Sequence, residues 1–312
     1  MKHRWRLASA GALLAAASVT AACSSAPPPI DETQSVAGPN ATIAPGATAS
    51  DTTASDTTAQ TTTEPIDQST GGLQLAPPGS GAISGRIHLV GPAPGNPVIR
   101  MGADPLCSRL NRGTRVIQEA VVASADGDLA NAFVTLDGSF PDSAAPTAPV
   151  TLDQAGCVYA PRVVGVRVGQ TLAVRNSDPL MHNVHGVSAA DNGFNVSQPA
   201  AGMLQEFPMA GEETMLRLRC DVHSWMTAYV GVVSHPYFAV TGEDGAFDMI
   251  GVPPGTYTVR TWHERFGELT QTIRVRADAT TTVDFGFTGT ETPPTANIRD
   301  LHVPAIAQLA VR

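Results

Sequence analysis

Lysine is almost missing from this sequence: Lys2 is the only one in 312 residues, so every later basic side chain is Arg or His, a bias of composition. Charge of either sign is sparse at 15% of residues, and the formal balance is acidic at −9. An acidic chain lacks the cationic surplus that holds a polyanion, which sets nucleic acid aside as a partner. There is no Gly-rich phosphate loop, no G-x-S-x-G elbow and no H-E-x-x-H pair, and no segment patterns convincingly as an amphipathic helix. Past the N-terminus, no apolar run reaches the roughly 20 residues that a membrane-spanning helix needs.

What the N-terminus does contain is a cationic start (Lys2, Arg4, Arg6) and an apolar run, GALLAAASVTAA, too short to span a bilayer stably. Residues 1–22 read as an export signal. Its loss takes three positive charges from the −9, leaving −12. The run ends at Cys23, between small residues and Ser24, which resembles the lipobox of bacterial lipoproteins, with Thr20 where a larger aliphatic residue is usual. That resemblance implies lipidation of Cys23 and a membrane held only through the acyl anchor; Ser24 after the cysteine implies the outer membrane, facing the periplasm or the cell surface. The alternative is an ordinary cleaved signal with an incidental cysteine. Either way the chain is exported.

Residues 23–80 are rich in Ser, Thr, Ala, Pro and Gly and cannot bury enough apolar surface to offset chain entropy, so they read as a disordered tether. From Gly81 the texture becomes short apolar or alternating runs: ISGRIHLV, TRVIQEAVVA, ANAFVTLD, RVVGVRV, TLAVRN, TMLRLRC, TAYVGVV, YFAVT, YTVRTWHE, TQTIRVRA and TTVDFGF, separated by DGD, NSDP, GEDGA and PPGT. These are strand and turn signals, and the fold class they predict is all-β, with room for two small sandwiches. Residues 81–146 supply N-terminal strands, 147–233 one domain, 234–288 a second sandwich, and 289–312 an irregular C-terminal tail interrupted by Pro293, Pro294 and Pro304.

The chemistry concentrates in two segments. LRLRCDVHSWMTAYVGVV places Cys220, His223 and Met226 as C-x2-H-x2-M between two strands; TLAVRNSDPLMHNVHGV brings His182 and His185 to the end of another. One thiolate, imidazole nitrogens and a thioether are the soft and borderline donors that suit copper, whereas a hard cation takes oxygen. His182 and His185 fall on opposite faces of an alternating strand, so one of them points at the metal; His182 is the primary expectation and His185 the alternative. The bland reading makes Cys220 a small buried hydrophobe, Met226 core and the histidines loop residues.

The paired motifs over residues 147–233 resemble the cupredoxins, most nearly the amicyanin-like short-loop type. The resemblance implies a Greek-key sandwich holding one type 1 copper, with His182 as strand-end ligand, Cys220 as thiolate, Met226 as weak axial donor, and His223 as a partly exposed imidazole serving as electron-transfer port. It also implies that the backbone of Asn183 supports the thiolate. Ser224 stands where many relatives carry proline, and Trp225 also alters the loop. Pro179, Leu180, Met181 and Trp225 are candidates for an apolar docking surface around His223, or for core. The segment YFAVTGEDGAFDMIGVPPGTYTVRTWHERFGELTQTIRV resembles the carboxypeptidase regulatory-like, transthyretin-type sandwich. Its usual first strands are missing just upstream, while SGRIHLVGPAP and LANAFVTLDG look like them, so insertion of the copper-type region and simple tandem order both stand open.

With Cys23 as anchor and Cys220 as ligand, Cys107 and Cys157 are left to form a disulfide, the alternative being two buried free thiols. His263, Glu264 and His235 read as structural. The function expected is an extracytoplasmic copper-binding electron carrier rather than an enzyme, with a cytochrome or dehydrogenase as redox partner. The alternatives are a non-catalytic cell-surface module, its C-terminal sandwich binding carbohydrate or protein, and a copper storage or delivery protein.

Overall fold

A computed structural model describes residues 77–291. The export signal, Cys23, residues 23–76 of the tether and residues 292–312 of the tail lie outside the described residues. Among those described, no helix is long and apolar enough to cross a membrane.

The described residues are all-β, with seventeen strands, one short α-helix and one 3₁₀ turn among them. Strand β1 (Gly81–Leu89) is followed by the 3₁₀ turn Met101–Ala103, helix α1 (Pro105–Leu110) and β2 (Phe133–Asp137). Next come β3 (Val150–Ala155), β4 (Val158–Ala160), β5 (Val163–Arg167), β6 (Thr171–Asn176), β7 (His182–Val187), β8 (Phe194–Gln198), β9 (Leu204–Pro208), β10 (Glu213–Arg219) and β11 (Thr227–Val233). The remainder are β12 (Phe238–Val240), β13 (Ala246–Val252), β14 (Gly255–His263), β15 (Gly267–Val275), β16 (Thr280–Thr282) and β17 (Phe285–Phe287).

Strands β3 to β11 form one sandwich of two mixed sheets, ordered β5-β11-β10-β7-β8 and β4-β3-β6-β9. β5 runs parallel to β11, and β3 to β6, while the other neighbours are antiparallel. Alternation fixes which faces meet in β10, where Leu216 and Leu218 turn inward between more exposed neighbours, while β6 is buried throughout Leu172–Val174 and gives Leu172 and Val174 to the same core. They pack with Leu152, Val166, Val184 and Val230, each of which contributes about 1.5–3 kcal/mol by leaving water.

The second sandwich draws strands from both sides of the first. One sheet pairs β1 with β13 antiparallel and with β16 and β17 parallel; the other runs β12-β2-β14-β15. The chain leaves this sandwich after β2 and re-enters it at β12, and these two strands are antiparallel neighbours, with Phe238 opposite Thr135. The segment between them therefore begins and ends at adjacent points, the geometry in which one domain can sit inside another. A shared apolar layer of Phe133, Val163, Trp262, Tyr229, Val233 and Phe238 joins the two sandwiches. Gly165 and Gly231 make that layer possible: a Cβ on Gly231 would fall 2.4 Å from the Phe133 ring, and one on Gly165 2.2 Å from Phe238.

One strand expectation fails. TRVIQEAVVA contributes only isolated bridges, Val98 to Ile117 and Ala123 to Leu129, and is otherwise irregular. Instead, residues 97–119 carry the 3₁₀ turn and α1 and lie across the end of the first sandwich. Their apolar side chains Ile99, Met101, Cys107 and Val116 are spent on that contact, against Leu180, Val158 and Trp225.

Candidate metal centre

β10 delivers Cys220 at its end, the turn carries His223, and β11 resumes just after Met226. The turn closes on itself: the Met226 N–H donates to the His223 carbonyl at 2.9 Å, and the Cys220 N–H to the Met226 carbonyl at 3.3 Å. β7 supplies His182 as its first residue, from the strand paired with β10. A sequence separation of 41 residues between the two imidazoles thus collapses to contact. His182 Nδ1 and His223 Nδ1 are 3.0 Å apart, and Cys220 Sγ is 3.8 Å from His223 Nδ1. Ligand atoms of His182, Cys220 and His223 all lie within 4.8 Å of one another.

These separations suit a common centre. Imidazole and thiolate donors bound to one ion at roughly 2.0–2.3 Å, with angles near tetrahedral, sit roughly 3–4 Å from each other. All three residues are buried, at 0% exposure for His182, 2% for Cys220 and 1% for His223. Met226 is buried in the same core. Cys220 is a free thiol, and the Asn183 and His223 backbone N–H groups each point at its sulfur from 3.4 Å. His185 faces the other way: its Nδ1 lies 2.9 Å from the Asp221 carboxylate at the surface. Cys107 and Cys157 form a disulfide with their Cα atoms 5.8 Å apart.

The electrostatics favour a thiolate between imidazoles. Burial pushes the Cys220 thiol up, but hydrogen bonds from His182 and from the N–H groups of His223, Asn183 and Val222 outweigh it and bring the pKa below the ordinary thiol value. Burial likewise works against a charged ring at His182, yet the Asp178 carboxylate and the Cys220 sulfur together hold its pKa up at about 9. Asp178 would be raised by burial, but His182 and the Cys157 and Gly156 N–H groups pull it below the usual carboxylate range.

Two carboxylates that the donor motifs did not point to complete the centre. Asp178 Oδ2 is 2.8 Å from His182 Nε2, and Asp104 Oδ2 is 3.2 Å from His223 Nε2. Each imidazole therefore turns Nδ1 to the shared centre and Nε2 to a carboxylate. Asp178 lies in the NSDP turn four residues before His182, and Asp104 precedes Pro105 as the N-cap of α1. An Asp-Pro pair is a helix-start signal, but nothing in the sequence ties that helix to His223.

The expectation of a partly exposed His223 is corrected. Residues 97–119 cover the ring, the Cys107 sulfur stands 3.6 Å from its Nε2, and the disulfide pins the cover to the β3–β4 turn. Of the residues proposed to ring it, Leu180 and Trp225 pack under the cover, with the Trp225 indole N–H donating to the Cys157 carbonyl at 2.9 Å, while Met181 is 46% exposed. Outside the centre, Glu264 pairs with Arg162, His263 is buried against Phe266, and His235 sits between Phe140 and Tyr237.

No family model matches the chain, and no curated protein matches it. Solved structures similar to parts of it include a copper-containing nitrite reductase from Thermus scotoductus SA-01, at 18% identity and a TM-score of 0.26 over 30% of this chain and 24% of the reductase. A purple cupredoxin from Nitrosopumilus maritimus aligns at 20% identity and a TM-score of 0.24 over 27% of this chain and 98% of its own. A point mutant of amicyanin, in its Cu(I) form, aligns at 22% identity and a TM-score of 0.25 over 32% of this chain and 97% of its own. The likeness is local, taking in about a third of this chain or less.

Proposed function

We propose that this chain serves as an electron carrier, in which His182, Cys220, His223 and Met226 would hold one copper ion. The observation that carries the proposal is the convergence of three buried soft and borderline donors, within 4.8 Å of one another, at the end of one β-sandwich. Copper in such a set supplies one-electron chemistry. The chain's part is to hold the donors still: His182 and Cys220 are fixed by paired strands, and His223 by the closed turn and by Asp104. Fixed donors mean little rearrangement when the charge at the centre changes by one, which is what a carrier requires.

Burial of all three donors favours a carrier over a delivery protein, which needs an exchangeable site. The segment over His223, rather than a bare ring, would face a redox protein such as a cytochrome or dehydrogenase. We place the protein outside the cytoplasm, anchored at the outer membrane through Cys23, with the transthyretin-like second sandwich as support or as a surface for protein or carbohydrate. The test is retention with reversibility: copper-loaded protein should keep one equivalent against a competing chelator through repeated reduction and reoxidation. Rapid loss to the chelator would point to delivery instead.

A further inference from the structure

We propose that Asp104, from the segment covering the first sandwich, is a positioning residue that sets the donor strength of His223; this rests on the copper reading above. Its carboxylate is divided between two tasks. Oδ1 caps α1, accepting from the Leu106 N–H at 2.7 Å and the Cys107 N–H at 3.1 Å, while Oδ2 faces His223 Nε2 at 3.2 Å. The cap fixes the carboxylate, the carboxylate keeps the proton on Nε2, and Nδ1 is thereby left toward Cys220 and His182. Asp178 does the same for His182 from within the sandwich. Both imidazoles are then carboxylate-backed, an arrangement that fixes the tautomer and orients the ligand. The feature is unusual in origin, because Asp104 is contributed from outside the strands that carry the donors and is held in place by the Cys107–Cys157 disulfide.

Asp104→Asn isolates the effect. Asparagine is as good an N-cap as aspartate, so its oxygen can keep the helix start while its amide presents a donor, not an acceptor, to Nε2. Asp104→Ser also retains capping but withdraws the carboxylate altogether. Outer carboxylates of this kind are worth about 10–100-fold in metal affinity. A tenfold loss confined to Cu(II) raises the one-electron potential by about 59 mV. Both variants should therefore melt close to wild type, keep a Cys220-dependent visible band, and show a potential raised by at least that amount. Wild-type potentials in both variants, with melting and band unchanged, would overturn the proposal.

A second readout needs no metal. In the metal-free protein, the nitrogen NMR shifts of His223 should report the proton on Nε2 in wild type and a loss of that preference in Asp104→Asn. If wild-type protein never develops a Cys220-dependent band, the copper reading fails by itself. The nitrogen shifts then decide the role of Asp104 alone: the same tautomer in both proteins counts against it, and the expected change supports it.

Discussion

Arg162 and Glu264 form a bidentate ion pair across the two sandwiches: Nη2 of Arg162 lies 2.8 Å from Oε2 of Glu264, and Nε bonds the other carboxylate oxygen. Arg162 belongs to the β4–β5 connection and Glu264 to the β14–β15 turn, and both side chains are largely withdrawn from water. Removing one partner strands a buried charge, so Glu264→Ala should cost about 3–5 kcal/mol in denaturant unfolding. Replacing both, Arg162→Met with Glu264→Leu, should recover most of it. A loss of only about 0–1 kcal/mol for the single change would mean the pair behaves as a surface contact.

The Cys107–Cys157 disulfide closes a loop of fifty residues, and it fastens the segment that covers His223. Cys107→Ser with Cys157→Ser should lower stability by about 4 kcal/mol on loop-closure grounds. It should also speed copper loss to a chelator, because the cover is released. Unchanged loss rates in a folded double variant would show that other contacts hold the cover shut.

His263 gives a pH dependence whose direction can be worked out. Burial, reinforced by Arg162, pushes its folded pKa down to about 3. Its Nδ1 accepts from the Arg265 N–H at 3.1 Å, while its Nε2 finds no partner among the described residues. The unfolded chain protonates this ring near pH 6.5, so between about 6.5 and 3 the unfolded state binds the extra proton. The stability is fully present above about 6.5 and falls on acidification by up to about 1.4 kcal/mol per pH unit across that window. The unfolding free energy of wild type minus that of His263→Phe, measured from pH 7.5 to 4, should fall as the pH falls. A difference that stays constant with pH would mean the ring titrates normally.

At the joint between sandwiches, Gly231→Val places a branched side chain where the Phe133 ring lies within 3 Å of even a single Cβ. Overpacking of this kind costs about 1–3 kcal/mol, and here backbone separation adds to it. The expected outcome is a lowered melting temperature with greater exposure of Trp262 to a fluorescence quencher. Equal quenching with a lowered melting temperature would place the strain inside the first sandwich instead.

Much of this was legible from local pattern. The alternating runs mark most strands, and C-x2-H-x2-M carries its own turn. The opposite facing of His182 and His185 follows from strand period alone, and the structure puts one ring in the core and the other against Asp221 at the surface. What stayed hidden depends on long-range pairing. Nothing in ISGRIHLV says that Ile83 lies opposite Met249, because register is set by partners more than a hundred residues away. The segment TRVIQEAVVA is apolar enough for a strand, but its own Val116, together with Ile99, is committed to the cover packed on Leu180 and Trp225, and tertiary contact overrides local preference. His223 looks accessible in a short turn; only the path of residues 97–119 buries it.

The proposed copper site is tested most directly by titrating metal-free protein with Cu(II) and following the visible spectrum. An intense thiolate-to-metal charge-transfer band should grow to a plateau at one equivalent and be absent in Cys220→Ala. A protein that stays colourless, or a band that survives that substitution, would contradict it.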